Sequence, residues 1–190
     1  MRFILTDEQW VLDALSSSEW HLVCELPRTA AGEGFSERTK ERLFPSPLSE
    51  DTLADDDTLS QIEDWDRFVR PDLDEGFKEV RELVRNDLNR VETFPADTLL
   101  DPGQIEPGHG DLLELRRLEV PIEHTEAWYS VLNQARLLMN EEHDLAEEED
   151  RLMIQLEGPD AVDQDRLLVL AQYEMYSVIQ SILVENVMDR

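Results

Sequence analysis

The chain has 190 residues, 41% of them hydrophobic, and carries 45 acidic against 17 basic side chains, a formal net charge of -28. That length and apolar content suffice for one full-sized core. The acidity is spread over both halves, net -12 in residues 1–95 and -16 in residues 96–190, which argues against binding to DNA, RNA or anionic membrane, since each needs Lys and Arg against phosphate.

In chain order, Arg2-Phe3-Ile4-Leu5 is a short extended piece ending at Thr6, a helix N-cap candidate with Asp7 and Glu8 in the first turn. A helix is expected from Asp7 towards Leu26, with Trp10, Val11, Ala14 and Leu15 as its stripe, Ser16 to Ser18 weakening its middle and Pro27 ending it. Residues 28–58 are punctuated by Gly32, Gly34, Pro45 and Pro47, with one short helix, Glu37 to Leu43, capped by Ser36. Helix resumes near Thr58, with Leu59, Ile62 and Phe68 inward, and Pro71 interrupts it. Leu73, Phe77, Val80, Val84 and Leu88 then mark a helix over 73–91, with Glu82, Arg85 and Asp87 away from the stripe.

Residues 96–111 hold two prolines and three glycines and read as a long connection. Leu113 to Val120 is extended, and its simplest partner is the segment 2–5. After Pro121 come two long amphipathic helices, Ile122 to Glu142 and Val162 to Met188, the second apolar on several sides. The expected fold is mainly α, an orthogonal helical bundle around these two C-terminal helices, with a two-stranded patch of residues 2–5 and 113–120. A single domain over 1–190 is expected. With Cys24 the only cysteine, no basic N-terminal leader and no stretch approaching 18 apolar residues, the expected location is the cytoplasm.

The helix pair also carries a family likeness. Trp128-Tyr129-Ser130-Val131-Leu132-Asn133-Gln134-Ala135-Arg136-Leu137 resembles the Trp…Leu-Asn…Arg-Leu signature of the DUF2017 family, a bacterial domain of unknown function common in actinobacteria. Tyr173 to Leu183 is similar to that family's closing Tyr-acidic-aromatic…Leu-Gln…Leu segment, although Met175 stands where the family has a larger aromatic. The resemblance implies a small cytoplasmic, mainly helical protein with no established activity. The family is often encoded near an adaptor of the Clp protease and a metalloprotease-like protein, which links it to protein quality control by association only and supplies no mechanism.

Four polar residues stand out on the helix pair. Asn133 and Arg136, three apart, share one helix face; Tyr173 and Gln180, seven apart, share another, so packing of the helices brings the four into one polar seam. The plainer reading is a network that fixes register, with Arg136 paired to a carboxylate such as Glu174. A second candidate is the apolar strip Leu152, Met153, Ile154 and Leu156, framed by carboxylates as an interaction surface.

Signals for chemistry are weak. His21 and Cys24 share a helix face but offer two of the four ligands zinc needs, and neither His124 nor His143 falls in a His-Glu-x-x-His arrangement. Gly32-Glu33-Gly34 places an acid where phosphate would sit. No catalytic residue, metal or cofactor is assigned. The expected function is a non-catalytic protein-interaction or adaptor module with a protein partner, a homodimer being compatible. The alternatives are a metal-dependent hydrolase with its site at the helix seam and an acidic nucleic-acid mimic.

Overall fold

The computed structural model describes residues 1–45, 56–95, 114–145, 154–158 and 161–189. The chain begins with strands β1 (Arg2–Leu5) and β2 (Gln9–Leu15), then helices α1 (Ser17–Cys24), α2 (Leu26–Ala30) and α3 (Glu37–Glu41). A continuous helical run follows: α4 (Asp56–Asp64), a widened π turn (Trp65–Val69) and α5 (Arg70–Leu88). Next come β3 (Glu92–Pro95), β4 (Glu114–Pro121), a 3-10 turn (Ile122–His124) and α6 (Thr125–His143). A helical turn at 154–157 precedes α7 (Gln164–Leu183), which continues as a second π turn (Val184–Met188). The protein is mainly α-helical, and α6 and α7 fall where the periodicity places them. The connection at 96–111 lies outside the described residues.

The largest correction concerns residues 7–26, which form a strand and two helices in place of one helix. Thr6 closes a hairpin: its hydroxyl donates to the Gln9 carbonyl at 2.9 Å and accepts from the Gln9 amide at 3.1 Å. Trp10, Val11 and Leu12 are all buried, so this strand is covered on both faces and shows no polar alternation. Intrinsic helix and strand preferences span about 1 kcal/mol per residue, whereas burying a side chain of this size contributes roughly 1.5–3 kcal/mol. Packing therefore decides. Ser16 then starts α1 with a capping box, its hydroxyl accepting from the Glu19 amide at 3.2 Å while Glu19 accepts from the Ser16 amide at 2.8 Å. Pro27 sits in the first turn of α2, where its missing N–H costs nothing.

Among the described residues the strands form one antiparallel sheet in the order β1-β2-β4-β3. The segment 2–5 does not pair with β4 as expected, because β2 lies between them, with Phe3 opposite Leu12 and Leu12 opposite Leu118. Asp13, fully buried on β2, accepts from Arg2 of β1 and from Arg117 Nε of β4 at 2.9 Å, and Arg117 lies 5.4 Å over the Phe94 ring of β3. Two ion pairs and one cation–π contact thus form a line across all four strands. Burial alone would raise the Asp13 carboxyl pKa, but the hydrogen bonds and charges of Arg117 and Arg2 outweigh it and hold the group below 3.8.

The helices cover the sheet with α6 at the centre. Trp10 meets Trp128 of α6 edge-on, ring centroids 5.2 Å apart, a geometry worth about 0.5–1.5 kcal/mol beyond burial. Gln164–Met188 has the length and hydropathy of a membrane span, a property that counting uninterrupted apolar residues overlooked. Here Leu170, Tyr176, Ile179 and Leu183 of that stretch enter the core, while Leu168, Val178 and Met188 are exposed. Burial pushes the Tyr176 hydroxyl pKa up to about 12, and this hydroxyl donates to the Leu22 carbonyl at 3.0 Å.

Pro71 does not break the helical run, since it falls in the first turn of α5 directly after the π turn. The register of β2 against β4 shifts between Leu12 and Leu15, and Ala14 takes a left-handed φ of 56° there. A Cβ in that region costs roughly 1 kcal/mol that glycine avoids. Ala14→Gly is expected to raise the thermal midpoint by about 2–4 °C and Ala14→Val to lower it, as measured by calorimetry.

Candidate functional site

Three of the four polar residues singled out on the two C-terminal helices meet, and Asn133 does not join them. Arg136 of α6 donates to the Gln180 side-chain oxygen of α7 and to the Tyr173 hydroxyl at 3.4 Å, and its guanidinium lies 5.2 Å over the Tyr173 ring. Gln180 is 6% exposed. The guanidinium's hydrogen bonds therefore go to a neutral amide and a phenol, where a carboxylate partner such as Glu174 was expected. Arg136 Nε is buried without a hydrogen-bond partner. Asn133 is exposed and stands at the rim of a hollow of about 290 Å³, shared with Tyr129, Ser181 and Glu185. The seam joins three of the four residues, and its hydrogen bonds are already spent on fixing one helix against the other.

A second polar centre has no counterpart in the sequence reading. Asp87, expected on the outer face of its helix, is completely buried at the C-terminal end of α5. Its carboxylate accepts from the Trp128 indole at 2.9 Å, from His124 Nδ1 at 3.0 Å and from Arg90. The Trp10 indole in turn donates to the Thr125 hydroxyl at 3.2 Å. This network clamps α5 and the sheet to the first turn of α6. Burying a carboxylate this deeply is tolerated only because several donors meet it. The signal available beforehand was an Asp followed at a distance by a His and a Trp four residues apart, a pattern too common to single out.

Other titratable groups are engaged structurally. Cys24 is half-buried, its thiol donating to the His21 carbonyl at 3.2 Å, and burial raises the thiol pKa. Arg81, nearly buried, donates to the Gln134 side-chain oxygen at 2.8 Å. It borders an open hollow of about 640 Å³ along α5, whose other cations, Lys78 and Arg85, are paired with Asp74 and Glu82. Among the described residues no group of three or more His, Cys, Asp or Glu is placed to hold a metal ion.

Of the predicted apolar strip, Leu152 and Met153 lie outside the described residues. Ile154 packs on the core and lines an apolar hollow of about 410 Å³ with Leu167, Leu170 and Ala171 of α7, while Leu156 is 74% exposed. The strip is thus divided between packing and solvent.

A larger apolar surface runs along the α4–α5 run. Ile62, Trp65, Val69, Leu73, Phe77, Val80, Val84 and Leu88 recur every three or four residues, the π turn between Trp65 and Val69 keeping the stripe in line. Its C-terminal end is buried against α6 at Val84 and Leu88. Phe44 closes over the middle, its ring 5.6 Å from that of Phe77. Beyond that point Phe68, Val69 and Leu73 are 57%, 39% and 36% exposed. Among the described residues, 60–69 pack chiefly on their own helical run. Phe68, expected to point inward, is instead exposed, while Ile62 and Trp65 on the same run are half-buried.

Comparison with known proteins gives one result. The model of the family described as Domain of unknown function (DUF2017) matches residues 6–187. No curated protein and no solved structure matches the chain.

Two outcomes test these centres. Asp87→Ala strands a buried indole N–H and an imidazole, and is expected to lower unfolding free energy by about 3 kcal/mol in denaturant titration. Burial, opposed by Glu142 and reinforced by Arg166, holds the His143 imidazole below 6.5. The neutral ring is thus favoured when folded, so its contribution is complete above 6.5 and is lost as pH falls towards the folded value. His143→Gln is expected to flatten the decline in stability that denaturant titrations record as pH falls below about 6.5, the ordinary histidine value.

Proposed function

The chain belongs to the DUF2017 family, and from that premise we propose that it is a non-catalytic protein-interaction module acting in the cytoplasm. The observation that carries this reading is the open end of the helical stripe. Phe68, Val69 and Leu73 form a contiguous apolar surface on the part of the run with least packing on other elements. Scattered exposed apolar residues are ordinary, but a continuous stripe rimmed by charge marks an interaction site. The polar centres support the same reading, because their donors and acceptors are largely satisfied internally and hold helices together. Protein quality control, implied by the family resemblance, is one setting in which such a module would serve.

A photo-cross-linking residue placed at position 68 of the full chain tests this against the same residue at position 82, on the polar face of α5. In native lysate a discrete adduct is expected from position 68 and not from position 82, and Leu73→Asp in the same chain should reduce it several-fold. Equal labelling from both positions, or none from either, would count against an interaction surface on this helix.

A further inference from the structure

We propose that the open stripe receives a helix of a partner protein that is apolar on one side and carries Lys and Arg along its edges. This rests on the interaction reading above and adds the chemistry of the partner. The stripe has the form that one helix presents to another laid alongside it, with Ile62, Trp65, Val69 and Leu73 at spacings of three and four on a continuous helical backbone. It includes the half-buried Trp65 and is flanked by the exposed Phe68, aromatic residues of the kind that dominate binding energy in interfaces.

The charge around it selects the partner. Residues 60–79 carry seven acidic and three basic side chains. Those three cations are already engaged: Arg70 with Asp66 at 3.7 Å, Lys78 with Asp74 at 2.6 Å, and Arg67 5.0 Å over the Phe68 ring. Glu63, Asp64, Asp72 and Glu79 are exposed and, among the described residues, form no ion pair. A partner bringing Lys and Arg to these carboxylates gains complementarity and a faster approach. A second copy of this chain would bring the same carboxylates face to face, each copy with a formal charge of -28, so self-association fits less well.

The test uses the full chain and three synthetic helical peptides, with binding read by calorimetry. One has a Leu face flanked by Lys, one the same face flanked by Glu, and one the first peptide's composition scrambled so that no face remains. The Lys-flanked peptide is expected to bind at least about tenfold more tightly than the other two. Phe68→Asp combined with Leu73→Asp should weaken it at least about tenfold. That variant adds negative charge, so attraction by charge alone would strengthen binding; unchanged or tighter binding would overturn the proposal. Both side chains are partly exposed, and a thermal melt confirms that the variant folds. Equal binding of the Glu-flanked peptide overturns the basic preference and leaves the docking surface standing. Self-association that the double variant abolishes would do the same, with a second copy as occupant. Failure of all three peptides while the position-68 cross-link persists overturns this inference alone; loss of the cross-link as well removes both.

Discussion

The hydrogen bond from the Trp128 indole to the buried carboxylate of Asp87 is the contact on which the architecture turns. It joins the C-terminal end of α5 to the first turns of α6, and Trp10 then leans edge-on against the same indole ring from the sheet. The carboxylate is left inside because His124 and Arg90 supply further donors. A buried polar group so fully met fixes one arrangement of three elements, since any alternative leaves donors unpaired at several kcal/mol. The Arg136–Gln180 contact does the corresponding work between α6 and α7, and the Asp13 ion pairs do it within the sheet.

This anchoring gives the α4–α5 run two unequal ends. Towards Leu88 the stripe is covered by α6, and Asp87 locks the helix in place. Towards Ile62 the same apolar spacing continues, with Ile62 and Trp65 half-buried but without a comparable neighbour among the described elements. A helix secured at one end presents its free face in a fixed orientation, which lowers the entropy lost on docking. On this stretch, carboxylates that form no ion pair among the described residues stand beside an apolar surface, and in the proposal above they would discriminate among partners by charge.

Much of this was legible in the sequence, for reasons specific to each element. The helices α5, α6 and α7 each have one face on a core and another in solvent, so their apolar residues recur every three or four positions. The spacing of Arg136 against Tyr173 and Gln180 likewise predicted their meeting, because residues seven apart on a helix share a face. Strand β2 was not legible. It is buried on both faces, the bulge at Ala14 breaks its period of two, and Trp10-Val11 with Ala14-Leu15 mimics a helical stripe. Asp87 was hidden for a related reason. A charged residue off the apolar stripe is usually solvated, and only the approach of Trp128 from a distant segment makes it an interior residue. The open surface was half visible: the stripe could be read, but where the body ends could not.

The central claim is that one helical run is locked at its C-terminal end and open at its N-terminal end, and amide hydrogen exchange along it in the isolated 190-residue chain tests that directly. Amides of residues 81–88 should exchange near the rate set by global unfolding, while those of residues 60–72 exchange orders of magnitude faster through local opening. Uniform slow exchange from 60 to 88 would contradict the account, because it would mean that the stripe is already covered along its whole length.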